Sequence, residues 1–240
     1  MTTVLVLVAI VCIGWSIFTR WATWPCPWER ASTVAVSFLG LGVIFTTIPV
    51  SKIATAITGW HVLEATTGAD RMIGHICLLF AAAAIAISAA IRIADATHAT
   101  LARWVATPLV ASCCLMVTSV VYGQWLTPEQ WQGWLTTYMA AFTIGLVYLL
   151  GYAILALLVL AADERHRAMS ALYIIPCAAG VIAHAGQWVL RWAMPEGASA
   201  MWRLVILACV VTWVAGFALA AAYSWRQKIN GFQKLQQALR

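Results

Sequence analysis

Residues 134–161 read WLTTYMAAFTIGLVYLLGYAILALLVLA, a stretch without a single charged side chain. A helix needs about 20 mostly apolar residues to cross the hydrocarbon core of a bilayer, and this stretch exceeds that length. The rest of the chain has the same character: 63% of its 240 residues are hydrophobic, 9% are charged, and the mean hydropathy is +0.89. Soluble domains carry about 25% charged residues. The composition therefore indicates an integral membrane protein and excludes soluble, disordered and nucleic-acid-binding classes.

Seven apolar stretches are candidates for membrane spans. Their long continuous runs favour helices, because barrel strands show a short alternation of apolar and polar residues instead. We therefore predict an all-α polytopic membrane protein, with a seven-helix transmembrane domain over residues 1–225 and a short basic amphipathic tail over 226–240. The tail is either a frayed basic end or a short interfacial helix, and in the second case Gly231 fits a break between the seventh helix and that short helix. The predicted spans are Thr3–Phe18, Ala31–Val50, Met72–Ile91, Leu101–Tyr122, Trp134–Ala161, Ala168–Trp192 and Trp202–Trp225.

Lysine and arginine are distributed unevenly between the two sides of the predicted bundle. The connections after the first, third and fifth spans with their adjoining span ends, together with the tail, hold ten of these residues, whereas the other connections and their adjoining span ends hold four. Basic residues collect on the cytoplasmic side, where they also meet anionic lipid headgroups. The predicted protein is thus a multi-pass protein of the cell membrane, with its N-terminus outside and its C-terminus in the cytoplasm. Contact of these basic residues with the anionic headgroups of the lipid bilayer also explains the net charge of +6.

Ionisable side chains within a span are costly and mark candidate functional sites. Two histidines qualify, His75 in the third span and His184 in the sixth, and the predicted topology brings them to similar depths. Arg71 lies one turn before His75, and Gln187 and Trp188 follow His184 on its helix. We predict that these five residues bind a small or lipidic ligand in an outer-leaflet cavity. Two alternatives are interhelical hydrogen bonds that only hold the bundle together and bis-histidine ligation of a haem.

Local patterns predict three further features of the helices and their connections. Pro176 in the middle of the sixth span removes a backbone hydrogen bond, which predicts a kink that is either static or a hinge. The sequence Thr127–Gln130 has the pattern of a capping box, so the fifth helix should begin at Pro128. Between the second and third spans, Ser51–Asp70 has apolar residues at helical spacing, which predicts a short helix on the outer surface.

The chain shows no recognisable catalytic signature. A nucleophile–base pair, a phosphate-binding loop and a cluster of metal ligands are all missing from the sequence, so nothing supports an enzyme or a metal site. The seventh span contains no lysine, which argues against a retinal Schiff base. Apart from the haem alternative, we expect no cofactor.

The layout of seven spans, an outer N-terminus and a basic tail resembles the seven-helix sensor region that precedes some bacterial histidine kinases, and other bacterial seven-helix membrane proteins. The most distinctive local stretch runs from Pro49 through VLEATTGADR, residues 62–71, to His75. The leading hypothesis is a non-enzymatic membrane sensor or regulator that acts through a cytoplasmic protein partner. The competing classes are a small transport or permeation protein, including a phage- or toxin-related immunity type, and a haem- or quinone-linked redox subunit.

Overall fold

The computed structural model describes residues 2–21, 27–48, 50, 53, 69–93, 98–123, 125, 127–193 and 200–238. These residues form seven helices and contain no strand. Helix α4 consists of a first turn (His98–Leu101), a π-helical stretch (Ala102–Ala106) and a main segment (Thr107–Gly123). The other helices are α1 (Thr2–Thr19), α2 (Pro27–Thr47), α3 (Ala69–Ala90), α5 (Pro128–Ala161), α6 (Glu164–Ala193) and α7 (Ala200–Ala238). The predicted surface helix over Ser51–Asp70 falls almost entirely outside these described residues.

Six of the helices, α2 to α7, are long and apolar enough to cross a membrane. The apolar part of α1, Val4–Thr19, is shorter than the others. The all-α prediction is therefore confirmed, and the architecture is that of a multi-pass helical membrane protein. A membrane role for α1 and the orientation of the termini stay predictions.

The helices form a ring that does not follow chain order. Helix α3 packs against α2 on one side and α5 on the other, α6 packs between α5 and α7, and α7 closes the ring against α1, which also contacts α2. Helix α4 lies outside this ring, mainly against α5. Burial agrees with this arrangement, since 67% of the apolar span of α3 is buried but only 28% of that of α4.

Two glycines bring α2 and α3 into close contact. A Cβ atom added to Gly42 would lie 2.6 Å from the Leu78 side chain, and a Cβ added to Gly74 would lie 3.1 Å from the backbone nitrogen of Thr46. Each such Cβ would also lie 3.2 Å from the carbonyl oxygen of the other glycine. Small residues at a membrane helix crossing let the backbones approach closely and gain dispersion contacts. The α2–α3 pair is therefore a rigid side of the ring.

The predicted start of α5 is confirmed, whereas the predicted break in α7 is not. Helix α5 begins at Pro128, as predicted from the capping pattern. The carboxylate of Asp163 accepts a 3.0 Å hydrogen bond from the Arg165 N–H at the start of α6, and this bond holds the pKa of Asp163 below its usual value. The predicted break at Gly231 is wrong, because α7 continues through it to Ala238. Gly231 has no left-handed backbone conformation there, so it does not end the helix.

The π-helical stretch in α4 has a local cause. Pro108, at the second position of the main segment, has no backbone N–H and cannot donate to the carbonyl of Trp104. The stretch Ala102–Ala106 immediately precedes this missing bond. A π-helical turn accommodates such a gap, because its hydrogen bonds join residues five apart.

Candidate functional site

Five side chains from four helices meet in the interior of the ring. We call them the aromatic–histidine cluster: His75 on α3, Tyr138 and Phe142 on α5, His184 on α6 and Trp213 on α7. Phe142 lies at the centre, with its ring centroid 4.1 Å from that of His75 in a stacked arrangement and 5.3 Å from that of His184 edge to face. The His184 and Trp213 ring centroids are 5.6 Å apart, also edge to face. The two histidines are therefore close to each other, as expected, and the Phe142 ring lies between them.

His75 is anchored by a hydrogen bond. Its Nδ1 atom lies 2.7 Å from the hydroxyl of Tyr138, and either atom can donate, depending on the tautomer. Arg71, one turn earlier on α3, is exposed, and its positive charge acts on both side chains. This arrangement fixes one face of the His75 ring against Phe142 and its Nδ1 atom against Tyr138.

His184 is in the opposite situation. It is only 7% exposed, and neither ring nitrogen has a hydrogen-bond partner among the described residues. The indole N–H of Trp213, a residue with 0% exposure, likewise has none there. A buried polar group without a partner costs about 1–3 kcal/mol of stability. Two such residues in contact therefore weaken the bundle, and such local costs are typical of functional positions.

Gly180 provides the space that Trp213 occupies. A Cβ at this position of α6 would lie 2.9 Å from Cγ of Trp213 and 2.8 Å from the side chain of Leu150. The indole therefore lies directly against the α6 backbone, one turn before His184. Any rotation of α6 changes this contact, because no flexible side chain separates the two helices at that point.

A groove of about 530 Å³ runs between α5 and α6 on the outside of the ring. It is almost entirely apolar and is lined by Ala140, Thr143, Ile144, Val147, Tyr148, Ala185 and Trp188. Trp188 is the one member of the predicted ligand-binding set that lines this groove, whereas Gln187 is exposed nearby. At 100° per residue, Phe142 lies about half a helical turn away from the groove-lining face of α5. On α5, the groove and the aromatic–histidine cluster therefore lie on opposite faces of the helix.

The geometry does not suit a haem held between the two histidines. A porphyrin needs an open slot in which both imidazoles approach one iron from opposite faces. The Phe142 ring fills the space between His75 and His184. Among the described residues there is also no group of three or more His, Cys, Asp or Glu side chains placed to hold a metal ion.

Pro176 does not end α6, which continues through it from Glu164 to Ala193. Its ring packs against Gly216 of α7, where an added Cβ would lie 3.3 Å from Pro176 Cβ. Both residues line a second lipid-facing groove, of about 420 Å³, between α6 and α7. A hinge at Pro176 stays a prediction.

A second polar cluster, which the sequence alone does not predict, lies at the predicted cytoplasmic end. We call Arg20, Glu29 and Lys228 the basic-end ion cluster. Arg20 and Glu29 have 0% and 1% side-chain exposure, and Nη2 of Arg20 donates a 2.9 Å hydrogen bond to Glu29 Oε2. Arg20 also donates to Thr33 Oγ1 at 3.3 Å and to the carbonyl oxygen of Ala221 at 2.7 Å. Lys228, 42% exposed, donates to the other Glu29 oxygen.

The sequence contained a weak signal for this cluster. Glu29 is an acidic residue in the first turn of α2, where the helix dipole favours a negative charge. Arg20 and Lys228 were assigned to a loop and to the tail, because their side of the bundle is rich in basic residues. Their convergence depends on α7 lying beside α1 and α2, which local sequence does not show.

Comparison with known proteins assigns no class to this chain, so its class follows from its architecture alone. No protein-family model matches the chain, and neither a curated protein nor a solved structure matches it. The fold defines a multi-pass helical membrane protein with an interior aromatic–histidine cluster, and any more specific role has to be argued from the geometry.

Proposed function

We propose that the protein is a non-enzymatic membrane sensor or regulator that binds a small apolar or lipidic ligand in the α5–α6 groove. The occupied groove shifts α6 relative to α5 and so changes the contacts of His184 with Phe142 and Trp213. Helix α7 transmits this change to a cytoplasmic protein partner. The chemistry of the groove supports an apolar ligand, because its lining offers Trp188 and aliphatic side chains with few polar groups.

One observation carries this proposal: α7 is a single continuous helix that joins the two polar clusters. Trp213 contacts His184 in the interior, and Lys228 contacts Glu29 near the predicted cytoplasmic end. The two residues are fifteen positions apart, which corresponds to about 22 Å along the helix axis. A displacement at Trp213 is therefore transmitted along the helix rather than absorbed by a loop.

The unpartnered nitrogens of His184 favour a site with two states. In the described state, His184 and Trp213 gain ring contacts but no hydrogen bonds. A second arrangement in which these groups find partners would recover part of that cost. The two arrangements therefore differ little in free energy, and a ligand that binds one of them more tightly can shift the equilibrium between them.

A photoactivatable fatty acid with a diazirine group tests ligand binding in lipid nanodiscs. We expect cross-links concentrated in α5 and α6 peptides and greatly reduced in Trp188→Ala, because a large aromatic anchor contributes about 2 kcal/mol, a factor of roughly 30 in affinity. Trp202→Ala removes an exposed indole of α7 that does not line the groove, and it should leave the labelling unchanged. Labelling that is uniform over all spans, or equal in the two variants, would contradict the groove.

Hydrogen–deuterium exchange tests transmission. Added fatty acid should change the exchange of α7 peptides in the wild type, because the ligand alters the His184–Trp213 contact. The variant His184→Leu should keep the cross-links but lose this change. If the wild type is cross-linked but its α7 exchange does not respond to fatty acid, the protein binds lipid without signalling and the sensor mechanism is refuted.

A further inference from the structure

The described side chains near the end of α7 are largely exposed. From Arg226 to Gln233 the described side chains are exposed, including Phe232 at 74%. At 39 residues, α7 is about 58 Å long, against a hydrocarbon core of about 30 Å, so this end of the helix has to project beyond the bilayer. The segment 226–238 is called the α7 extension below.

Two side chains of the α7 extension contact neighbouring helices in different directions. The guanidinium of Arg226 lies 4.9 Å from the ring centroid of Trp15 on α1. Lys228 pairs with Glu29 on α2. Residues two apart on a helix point in nearly opposite directions, about 200° apart, so these two side chains contact α1 and α2 from opposite faces of the extension.

The two partners of Glu29 differ in how easily they can leave. Arg20 is fully buried and is also tied to Thr33 and the Ala221 carbonyl, so its position is over-determined. Lys228 is 42% exposed and carries its charge on a flexible stem. When Lys228 leaves, Glu29 keeps its hydrogen bond and ion pair with Arg20. The Glu29 carboxylate therefore stays compensated by Arg20 when Lys228 is released. A buried carboxylate without any partner would make that release too costly.

We propose that the Lys228–Glu29 pair is a reversible latch that holds the α7 extension against α1 and α2. The Arg20–Glu29 pair is its fixed half and Lys228 its movable half. Opening the latch frees the extension, with its exposed Phe232, to take up a different position. This inference concerns the output end of the proposed sensor and needs no ligand, so its failure and the failure of the groove are distinguishable.

Hydrogen–deuterium exchange of the unliganded full chain in lipid nanodiscs tests the latch. In Lys228→Met we expect exchange over residues 222–238 to rise about three- to tenfold, because loss of the pair favours local opening of that segment. Peptides from α3 and α5 should remain unchanged. Gln227→Met is the matched control, since Gln227 hydrogen-bonds within α7 to Tyr223, and it should exchange as the wild type does.

Three results would overturn the proposal. Unchanged exchange in Lys228→Met would show that the pair does not hold the extension. A rise spread over all spans would make Lys228 a general stabilising residue rather than a latch. The third result is a rise in exchange in Lys228→Arg as large as that in Lys228→Met, because an arginine keeps the positive charge and should preserve most of the protection.

Discussion

Replacing Arg20 by methionine tests the buried half of the basic-end ion cluster. Methionine keeps much of the length of the arginine stem but removes all of its donors. The carboxylate of Glu29, 1% exposed, would lose its Arg20 ion pair, and the carbonyl oxygen of Ala221 would lose a 2.7 Å hydrogen bond. Among the described side chains, Glu29 would keep the partially exposed Lys228 as its ion-pair partner. The substitution therefore changes charge compensation much more than packing volume.

The expected cost is about 3 kcal/mol in the free energy of unfolding. Removing one partner of a buried ion pair costs roughly 3–5 kcal/mol, mostly through the charge left behind. The remaining pair with Lys228 compensates part of that charge, which places the estimate at the lower end. A double variant, Arg20→Met with Glu29→Leu, should recover most of the loss, because apolar replacement of a complete buried pair is often nearly neutral.

Steric trapping in lipid bicelles measures these unfolding free energies without denaturant. Arg165→Met, which removes an exposed arginine at the start of α6, serves as control and should cost less than about 0.5 kcal/mol. A cost for Arg20→Met no larger than the control would refute the reasoning. A double variant as unstable as the sum of both single variants would show that packing, and not charge, is what Arg20 contributes.

Three further predictions concern topology, the aromatic–histidine cluster and the α2–α3 contact. An impermeant thiol reagent should label Gly197→Cys in intact cells and Ala238→Cys only after permeabilisation; the reverse pattern would invert the orientation. His75→Ala and His184→Ala should be non-additive in unfolding free energy by about 0.5–3 kcal/mol, because both pack on one phenylalanine, whereas additivity would make them independent. Gly42→Val should cost about 1–3 kcal/mol in the same measurement, since a Cβ there already lies 2.6 Å from a leucine of α3, and a neutral effect would disprove close packing.

Apolar run length and capping chemistry are local properties, and they were enough to predict the all-α class and the start of α5. The span predicted at Trp134–Ala161 lies within α5, and Pro128 begins that helix because a proline needs no N–H donor there. The same local reasoning failed at Gly231. Glycine permits a helix to end but does not force it to, and α7 continues through that position.

The candidate site was only partly predictable. Depth along the helices predicted that His75 and His184 would be near each other, because depth follows from residue count. Phe142 and Trp213 carry no such signal, since an aromatic residue within a span looks the same whether it packs on lipid or on a histidine. Their roles depend on which helix faces follow the ring order, and that order places α4 outside α3 and α5.

The ring order has a consequence for how the chain is made. Helices emerge from the ribosome in sequence, so α3 enters the membrane before α5, its permanent neighbour, exists. The alanine-rich second half of α3 tolerates this interval, since lipid tails solvate apolar side chains well. The basic-end ion cluster has to wait longer still, because the Ala221 carbonyl and Lys228 arrive only with α7. Until α7 is made, Arg20 and Glu29 have only each other and Thr33 among these partners, so the cluster reaches its full set of hydrogen bonds with the last helix to be synthesised.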